Sequence, residues 1–156
     1  SRILKSADIV WEDGSSGTYG KDQLDFGYRH SILHERRGIV TDATFVLEQG
    51  DRKEIAAVMA TYKERRLRTQ PLQAACAGSV FRNPPNDYAA RLIEAAGLKG
   101  LREGNAEVSR LHANFIVNHG GAKAEDVLAL IKRVQQTIEQ KNGITLVPEV
   151  LLMGER

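Results

Sequence analysis

The sequence predicts an α+β fold in which strand-forming segments lie at both ends of the chain and a helix-rich stretch lies between them. Three observations carry this. β-branched and aromatic residues cluster at 7–11, 38–48 and 144–153. Apolar residues recur at helical spacing within 51–67, 88–96 and 123–141. No internal repeat or low-complexity tract competes with these periods. An economical arrangement is one lobe made of residues 1–68 plus 144–156, with residues 69–143 inserted as a second α+β lobe. Ligand sites favour the seam between lobes.

Each element has a local reason. Ala7 to Trp11 reads as a strand, and Glu12-Asp13-Gly14 as the turn that ends it. Ser15 to Lys21 is polar and rich in glycine, which predicts a loop. Gly38 to Glu48 is a strand by its β-branched content. Asp51 is placed to cap a helix running to about Leu67, with Ile55, Val58, Met59 and Tyr62 on one face. Gln70 to Pro85 has neither period and reads as a loop system. Asp87 is placed to cap a helix over Tyr88 to Ala96, with Ala89, Leu92 and Ile93 inward and Gly97 as its stop. Leu98 to Val108 is mixed, Ala113 to Val117 reads as a strand, and Asn118 to Gly121 as a turn. The third helix spans about Lys123 to Lys141 on a stripe of Val127, Ile131, Val134 and Ile138. Ile144 to Met153 is a last strand interrupted by Pro148.

Composition narrows the class. With 156 residues the chain can bury one good core or two small ones. The 22 cationic and 20 anionic side chains nearly cancel, leaving a net charge of +2. That argues against bulk binding of nucleic acid, which needs a basic excess on one face. The lone cysteine, Cys76, excludes an internal disulfide and suits a reducing compartment. No apolar run approaches the roughly 18 residues of a membrane span, and no signal-peptide pattern opens the chain. The first residues, Ser1-Arg2-Ile3-Leu4-Lys5, lack a methionine and lead almost at once into a strand, as the interior of a longer fold would; a trimmed tag gives the same start.

The segment richest in chemistry is Ala77 to Pro85. Small residues lead to Ser79, and Arg82, Asn83 and two prolines follow. Serine donates and accepts, asparagine offers two donors and an acceptor, and arginine a five-donor fork. Ser79 lacks the Gly-x-Ser-x-Gly pattern of a hydrolase elbow, so it either caps a turn or holds a ligand. Phe26-Gly27-Tyr28-Arg29 sets aromatic rings beside a guanidinium, which suits carboxylate or phosphate and equally suits a surface arginine stacked on Tyr28. Glu149 sits in an apolar run, where it either faces a closed site as an acid or points outward from an edge strand. Lys63 to Arg68 is a phosphate grip or the cationic last turn of a helix. His112 and Asn114 flank the start of a strand and suit a turn and core. The four histidines and Cys76 show no metal-ligand spacing. Gly14 with Gly17, and Gly120-Gly121, make no dinucleotide fingerprint.

Taken in order, Phe26-Gly27-Tyr28-Arg29-His30-Ser31, Ala43-Thr44-Phe45, Gln70-Pro71, Gly78-Ser79-Val80-Phe81-Arg82-Asn83-Pro84, Leu92-Ile93-Glu94, Gly97-Leu98-Lys99-Gly100, Ala106-Glu107-Val108-Ser109, His112-Ala113-Asn114-Phe115 and Pro148-Glu149-Val150 form a series. In these motifs the chain resembles the C-terminal half of the UDP-N-acetylenolpyruvoylglucosamine reductase (MurB) family, from about residue 7 to 155. The resemblance implies a cytoplasmic FAD enzyme of peptidoglycan synthesis that uses NADPH to reduce UDP-N-acetylglucosamine enolpyruvate to UDP-N-acetylmuramate. It implies that residues 1–68 and 144–156 are part of a flavin lobe and 69–143 the substrate lobe. By the same resemblance Ser79 is the proton donor, Arg29 polarises the substrate carboxylate and Glu149 helps hold the enolate. Asn83, and less directly Tyr28, Lys99 and His112, are implied as contacts to the UDP-sugar. The family's glycine-rich flavin segments have no counterpart in the sequence, so FAD is expected to be bound mainly outside it and the isolated chain to be inactive. The alternative is a stand-alone UDP-sugar-binding module without redox chemistry. Glu103 and Asn105 occupy positions where the family resemblance implies an aliphatic residue and a glycine, which predicts altered packing beside Ala106.

Overall fold

The computed structural model describes residues 2–154 and has the α+β character expected. Its contacts divide the chain into two compact units, 1–55 and 56–156. This division differs from the expected lobes of 1–68 plus 144–156 and 69–143.

The first unit is a three-stranded antiparallel sheet in the order β2-β1-β3, built from β1 (Leu4–Trp11), β2 (Ser16–Gly20) and β3 (Gly38–Phe45). β1 alternates as a half-buried strand should: Ala7, Ile9 and Trp11 turn inward and pack with Leu24. The glycine-rich stretch expected to be a loop is the strand β2. Pairing with Ser6 to Val10 supplies the hydrogen bonds that composition does not suggest. The turn before it is set by Gly14, at φ +81°, and by the Asp13 carboxylate, which accepts from the Ser15 backbone and hydroxyl at 2.9 and 2.5 Å. β3 ends at Phe45, three residues short of the expected end.

Helix α1 (Arg52–Thr69) crosses the boundary between the units. Asp51 Oδ1 accepts from the backbone N–H groups of Lys53 and Glu54 at 2.8 and 3.0 Å, the expected cap. The expected inward face is not buried: α1 has no buried residue, and Met59 is 66% exposed.

The second unit is a four-stranded antiparallel sheet, β4-β7-β6-β5, backed by two helices. β4 (Ala75–Ser79) lies inside the stretch expected to be a loop; its small side chains take their strand character from pairing with β7 (Phe115–Asn118). Helix α2 (Ala89–Ala95) buries Ala89, Leu92 and Ile93, and Gly97 follows it at φ +77°. Its cap is not the one expected. Asn83 Oδ1 accepts from the Ala89 N–H at 3.1 Å, while Asp87 accepts from the Tyr88 N–H at 2.7 Å and pairs with Arg91. β5 (Arg102–Glu103) and β6 (Ala106–Val108) form a hairpin within the mixed stretch. Helix α3 (Ala124–Asn142) buries Leu130, Ile131, Val134 and Ile138 against the sheet and α2, and Gly143 closes it in the left-handed region at φ 65°.

The last expected strand does not form. Residues 144–150 pack within the second unit, with Leu146 only 1% exposed, but among the described residues their strand pairing is a single bridge, Phe81 to Pro148, beyond the end of β4. Pro148 faces Phe81 at a position whose ladder bonds are made by its neighbours, the Val147 carbonyl and the Glu149 N–H, and Leu151, Leu152 and Met153 stand exposed. Among the described residues no helix is long and apolar enough to cross a membrane.

Candidate functional site

Ser79 is the last residue of β4, opposite Phe115. Gly78 before it lies at φ +85°, a backbone state that other L-residues rarely adopt, and the pairing register shifts between Cys76 and Ser79. The strand therefore bends just before the serine. Beyond the bend the chain is gripped on two sides. The Val80 N–H donates to the Asn114 carbonyl at 2.9 Å, and the Val80 carbonyl accepts from the Glu149 N–H at 2.8 Å. Two residues on, the Arg82 N–H donates to the Val147 carbonyl at 2.9 Å. The segments bearing Ser79 and Glu149 thus run side by side, joined through the backbone of Val80.

Asn114 locks this arrangement. Its side chain is a two-way clamp on Phe81, donating from Nδ2 to the Phe81 carbonyl at 2.8 Å and accepting the Phe81 N–H on Oδ1 at 2.9 Å. Asn114 is 4% exposed, so both bonds lie away from water and removing either partner orphans a buried group. Its core position was legible in the sequence; its role as a clamp across 33 positions was not. The signal available was a carboxamide in an otherwise apolar strand start, since buried amides need partners.

His112 is half-buried, its ring edge-on to Phe115 at 4.8 Å. Its Nδ1 accepts from the Asn114 N–H at 3.3 Å, so the neutral ring carries its proton on Nε2. The Ser109 hydroxyl, itself buried, accepts from the Leu111 and His112 N–H groups at 3.2 Å and shapes the turn. Burial, helped by the Lys99 charge, holds the imidazole below its ordinary value of 6.5, against its own backbone hydrogen bond and Glu94. Lys99 is half-buried with Nζ 2.7 Å from Glu94 Oε1. Asn83 is exposed, and its side chain serves as the cap on α2.

A groove of about 380 Å³ opens at Ser79, lined among others by Arg66, Gln70, Cys76, Gly78 and Phe115. Its lining mixes a guanidinium, an amide and a hydroxyl with an aromatic wall, a set suited to an anionic polar ligand. Arg66 belongs to the cationic run whose sequence left phosphate grip and helix end both open; it is in the last turn of α1 and lines this groove. Outside this lining, Arg82 has a buried Nε for which the described residues offer no hydrogen-bond partner.

Tyr28 and Arg29 lie in the first unit. Reciprocal backbone bonds between Gly27 and His30, at 3.1 and 3.4 Å, close a tight turn around them. Arg29 sits at φ 55°, uncommon for a residue with a side chain, and its guanidinium stands 5.4 Å from the centre of the Tyr28 ring. Both side chains are exposed. Ser79, Asn83, Lys99, His112 and Glu149 all belong to the second unit.

The side chains of Glu103 and Asn105 each have a partner. Glu103 Oε1 takes Arg133 Nη1 at 2.8 Å, and Asn105 Nδ2 donates to the Gly120 carbonyl at 2.9 Å. Beside them Glu107, buried on β6, meets Arg102, Arg110 and His119. Burial pulls its carboxyl up, but the hydrogen bond and charge of Arg102, the Arg110 charge and the His119 hydrogen bond outweigh it and hold the group below its ordinary value.

Known proteins resemble this chain in sequence and in fold. Residues 70–153 match the family model described as UDP-N-acetylenolpyruvoylglucosamine reductase, C-terminal domain. A UDP-N-acetylenolpyruvoylglucosamine reductase of Bacillus licheniformis is 48% identical over 157 aligned residues, covering 100% of this chain and 85% of that sequence. The Anoxybacillus flavithermus protein of the same name is 47% identical, and the chain covers 52% of it. The crystal structure of UDP-N-acetylenolpyruvylglucosamine reductase (MurB) from Thermus caldophilus matches with a TM-score of 0.79 and 40% identity, over 92% of this chain and 51% of that one. The chain thus spans about half the length of the latter two. By this identity, this coverage and the shared fold, the chain belongs to the UDP-N-acetylenolpyruvoylglucosamine reductase (MurB) family.

Proposed function

We propose that the chain supplies the substrate-side residues of a UDP-N-acetylmuramate dehydrogenase, a cytoplasmic NADPH-dependent FAD oxidoreductase of peptidoglycan synthesis. Its substrate is UDP-N-acetylglucosamine enolpyruvate. The observation that carries this reading is the side-by-side placement of the Ser79 and Glu149 segments, joined at Val80 and clamped by Asn114.

We assign no complete flavin dinucleotide site to the described residues on their own. A pyrophosphate favours the free N–H groups of a helix N-terminus behind a glycine-rich turn. At α1 and α2 a side-chain oxygen already takes a first-turn N–H, from Asp51 and Asn83, and at α3 Asp126 places a carboxylate in the first turn, its Oδ2 accepting the Lys123 N–H at 2.9 Å. FAD is therefore assigned mainly to parts of a longer protein. Within that protein the partition into a flavin lobe, 1–68 with 144–156, and a substrate lobe, 69–143, remains our proposal.

The roles of the chain's own groups follow from the charge the reaction creates. Saturating the enolpyruvyl double bond places a hydride at C3 and leaves negative charge on C2 and the adjoining carboxylate. Arg29 pairs with that carboxylate, and Glu149 helps hold the developing enolate. Ser79 hands a proton to C2, which requires its hydroxyl within hydrogen-bond reach of that carbon. Asn83, Lys99, Tyr28 and His112 hold the sugar nucleotide. A neutral His112 suits that task, since it accepts or donates without placing a cation against Lys99.

A single substitution in the full-length protein tests the reading. Ser79→Ala is expected to leave bleaching of the flavin by NADPH unchanged and to slow turnover of the enolpyruvyl substrate by about 10²–10⁴-fold. Equal loss in both half-reactions would overturn the proton-donor role. The occupied helix starts favour a second reading for the chain alone, a UDP-sugar-binding module without redox activity. Purified alone, it is expected to show no stoichiometric flavin absorbance in the visible; such absorbance would contradict the assignment of FAD outside the chain.

A further inference from the structure

We propose that Asp25, His30 and Glu35 form a site for one divalent transition-metal ion, of the zinc class, on the loop that carries Arg29. The spacing of histidines and cysteine gives no hint of it, because the donors are of mixed type and come together only through the fold. His30 Nε2 stands 3.2 Å from Glu35 Oε1 and 3.8 Å from Asp25 Oδ2, and all three donor atoms lie within 4.8 Å of one another. Among the described residues no other three such groups gather so closely. Tetrahedral zinc with ligand bonds of about 2.0–2.1 Å sets its donor atoms about 3.3–3.4 Å apart. The two His30 separations straddle that edge length, so small side-chain rotations close the site.

The donor set selects the ion. One imidazole and two carboxylates make a mixed nitrogen and oxygen site, which suits zinc and its first-row neighbours better than the all-oxygen preference of magnesium. The backbone that presents the donors is held on both flanks. The Ile32 N–H donates to the carbonyl of the buried Leu24 at 3.0 Å, and the Glu35 N–H donates to the Ile32 carbonyl at 3.1 Å. The Gly27–His30 bridge fixes the middle. The side chains of His30, Asp25 and Glu35 are 39%, 76% and 65% exposed, leaving water to complete the coordination shell. His34 stacks beside His30 at 5.5 Å, but its Nδ1 is engaged as acceptor of the Ser31 N–H at 3.2 Å.

Calorimetric titration of the full chain with zinc chloride, with magnesium chloride in parallel, tests the site. The expected result is one equivalent of zinc bound with micromolar affinity and no saturable magnesium binding. His30→Ala and Asp25→Asn should each weaken zinc by at least about tenfold, the loss seen even for an outer partner of a metal ligand. Glu48→Gln, away from the three ligands in sequence, should bind as the parent does. Absence of saturable zinc binding up to about 1 mM would overturn the proposal and leave His30 as an ion-pair partner of the two carboxylates. Unchanged zinc affinity in His30→Ala would overturn it equally. Binding is read without reference to reductase activity, so failure here leaves the proposed reaction untouched.

Discussion

Helices α1 and α3 are almost the same length, 18 and 19 residues, yet they use their apolar side chains in opposite ways. α3 puts Leu130, Ile131, Val134 and Ile138 into the core of the second unit. α1 leaves Ile55, Val58, Met59 and Tyr62 at half exposure or more. What holds α1 is local: the Asp51 cap, Glu54 in its first turn, and Arg66 and Arg68 in its last, all favourable to the helix dipole. What holds α3 is tertiary. A periodic stripe therefore identifies a helix without saying that its face will be buried, and the stability of the second unit rests on one helix of the pair.

The sharpest way to break this comparison is to truncate matched positions. Leu130, fully buried, should cost about 2–5 kcal/mol on replacement by alanine, the transfer and cavity terms together. Met59→Ala on α1 should stay within about 0.5 kcal/mol, the range of surface changes. Urea denaturation of the two variants reads both values. A loss at Met59 comparable to that at Leu130 would mean that the face of α1 is covered in solution.

The next effect belongs to the serine segment. Asn114→Ala removes both bonds of the clamp and strands the Phe81 N–H and carbonyl away from water. We expect a loss of roughly 2–3 kcal/mol, consistent with about 1–3 for each buried orphan. We also expect faster amide exchange at Phe81 than at Val134 in α3. If global stability falls while Phe81 exchange keeps pace with Val134, Asn114 serves the core as a whole and does not clamp the segment in particular.

What the sequence revealed follows the same division between local and tertiary causes. α3, the α1 cap at Asp51 and the inward face of α2 were legible because propensity, period and capping act within a few residues. β2 and β4 were not, since Ser16-Gly17 and Ala75 to Ser79 become strands only by pairing with β1 and β7. The expected final strand is reduced to one bridge: its apolar run reads correctly as buried at Leu146, but past Val150 the side chains Leu151, Leu152 and Met153 leave the core and stand exposed. At the candidate site the residue types at Ser79, Asn83 and Glu149 stood out in sequence. Their arrangement did not, because it depends on Asn114 and Val80 reaching across the fold.

The smallest expected effect concerns two acids of the second unit. Glu107 is buried among Arg102, Arg110 and His119, whereas Asp87 is only half-buried beside an exposed Arg91, held down to about 2 by its hydrogen bond from Arg91 and by the Tyr88 N–H. Both carboxyls ionise more readily folded than unfolded. Each therefore stabilises the fold above its unfolded value, and that stabilisation fades as pH falls through the folded one. For Asp87 the window runs from 3.8 down to about 2; for Glu107 it begins at 4.5 and extends below. Glu107→Gln keeps the shape but leaves two arginines and a histidine without their counter-charge. It should cost roughly 1–2 kcal/mol at pH 7, with the difference from the parent shrinking below about pH 4 as the parent's own carboxylate is protonated. Asp87→Asn should change little at pH 7, because exposed ion pairs contribute little, and should flatten only the most acidic part of the curve. Urea midpoints at pH 7, 4 and 3 separate the two. Equal losses at pH 7 would mean that burial of Glu107 adds nothing to its network, and that the carboxylate beneath β6 is as dispensable as that of Asp87.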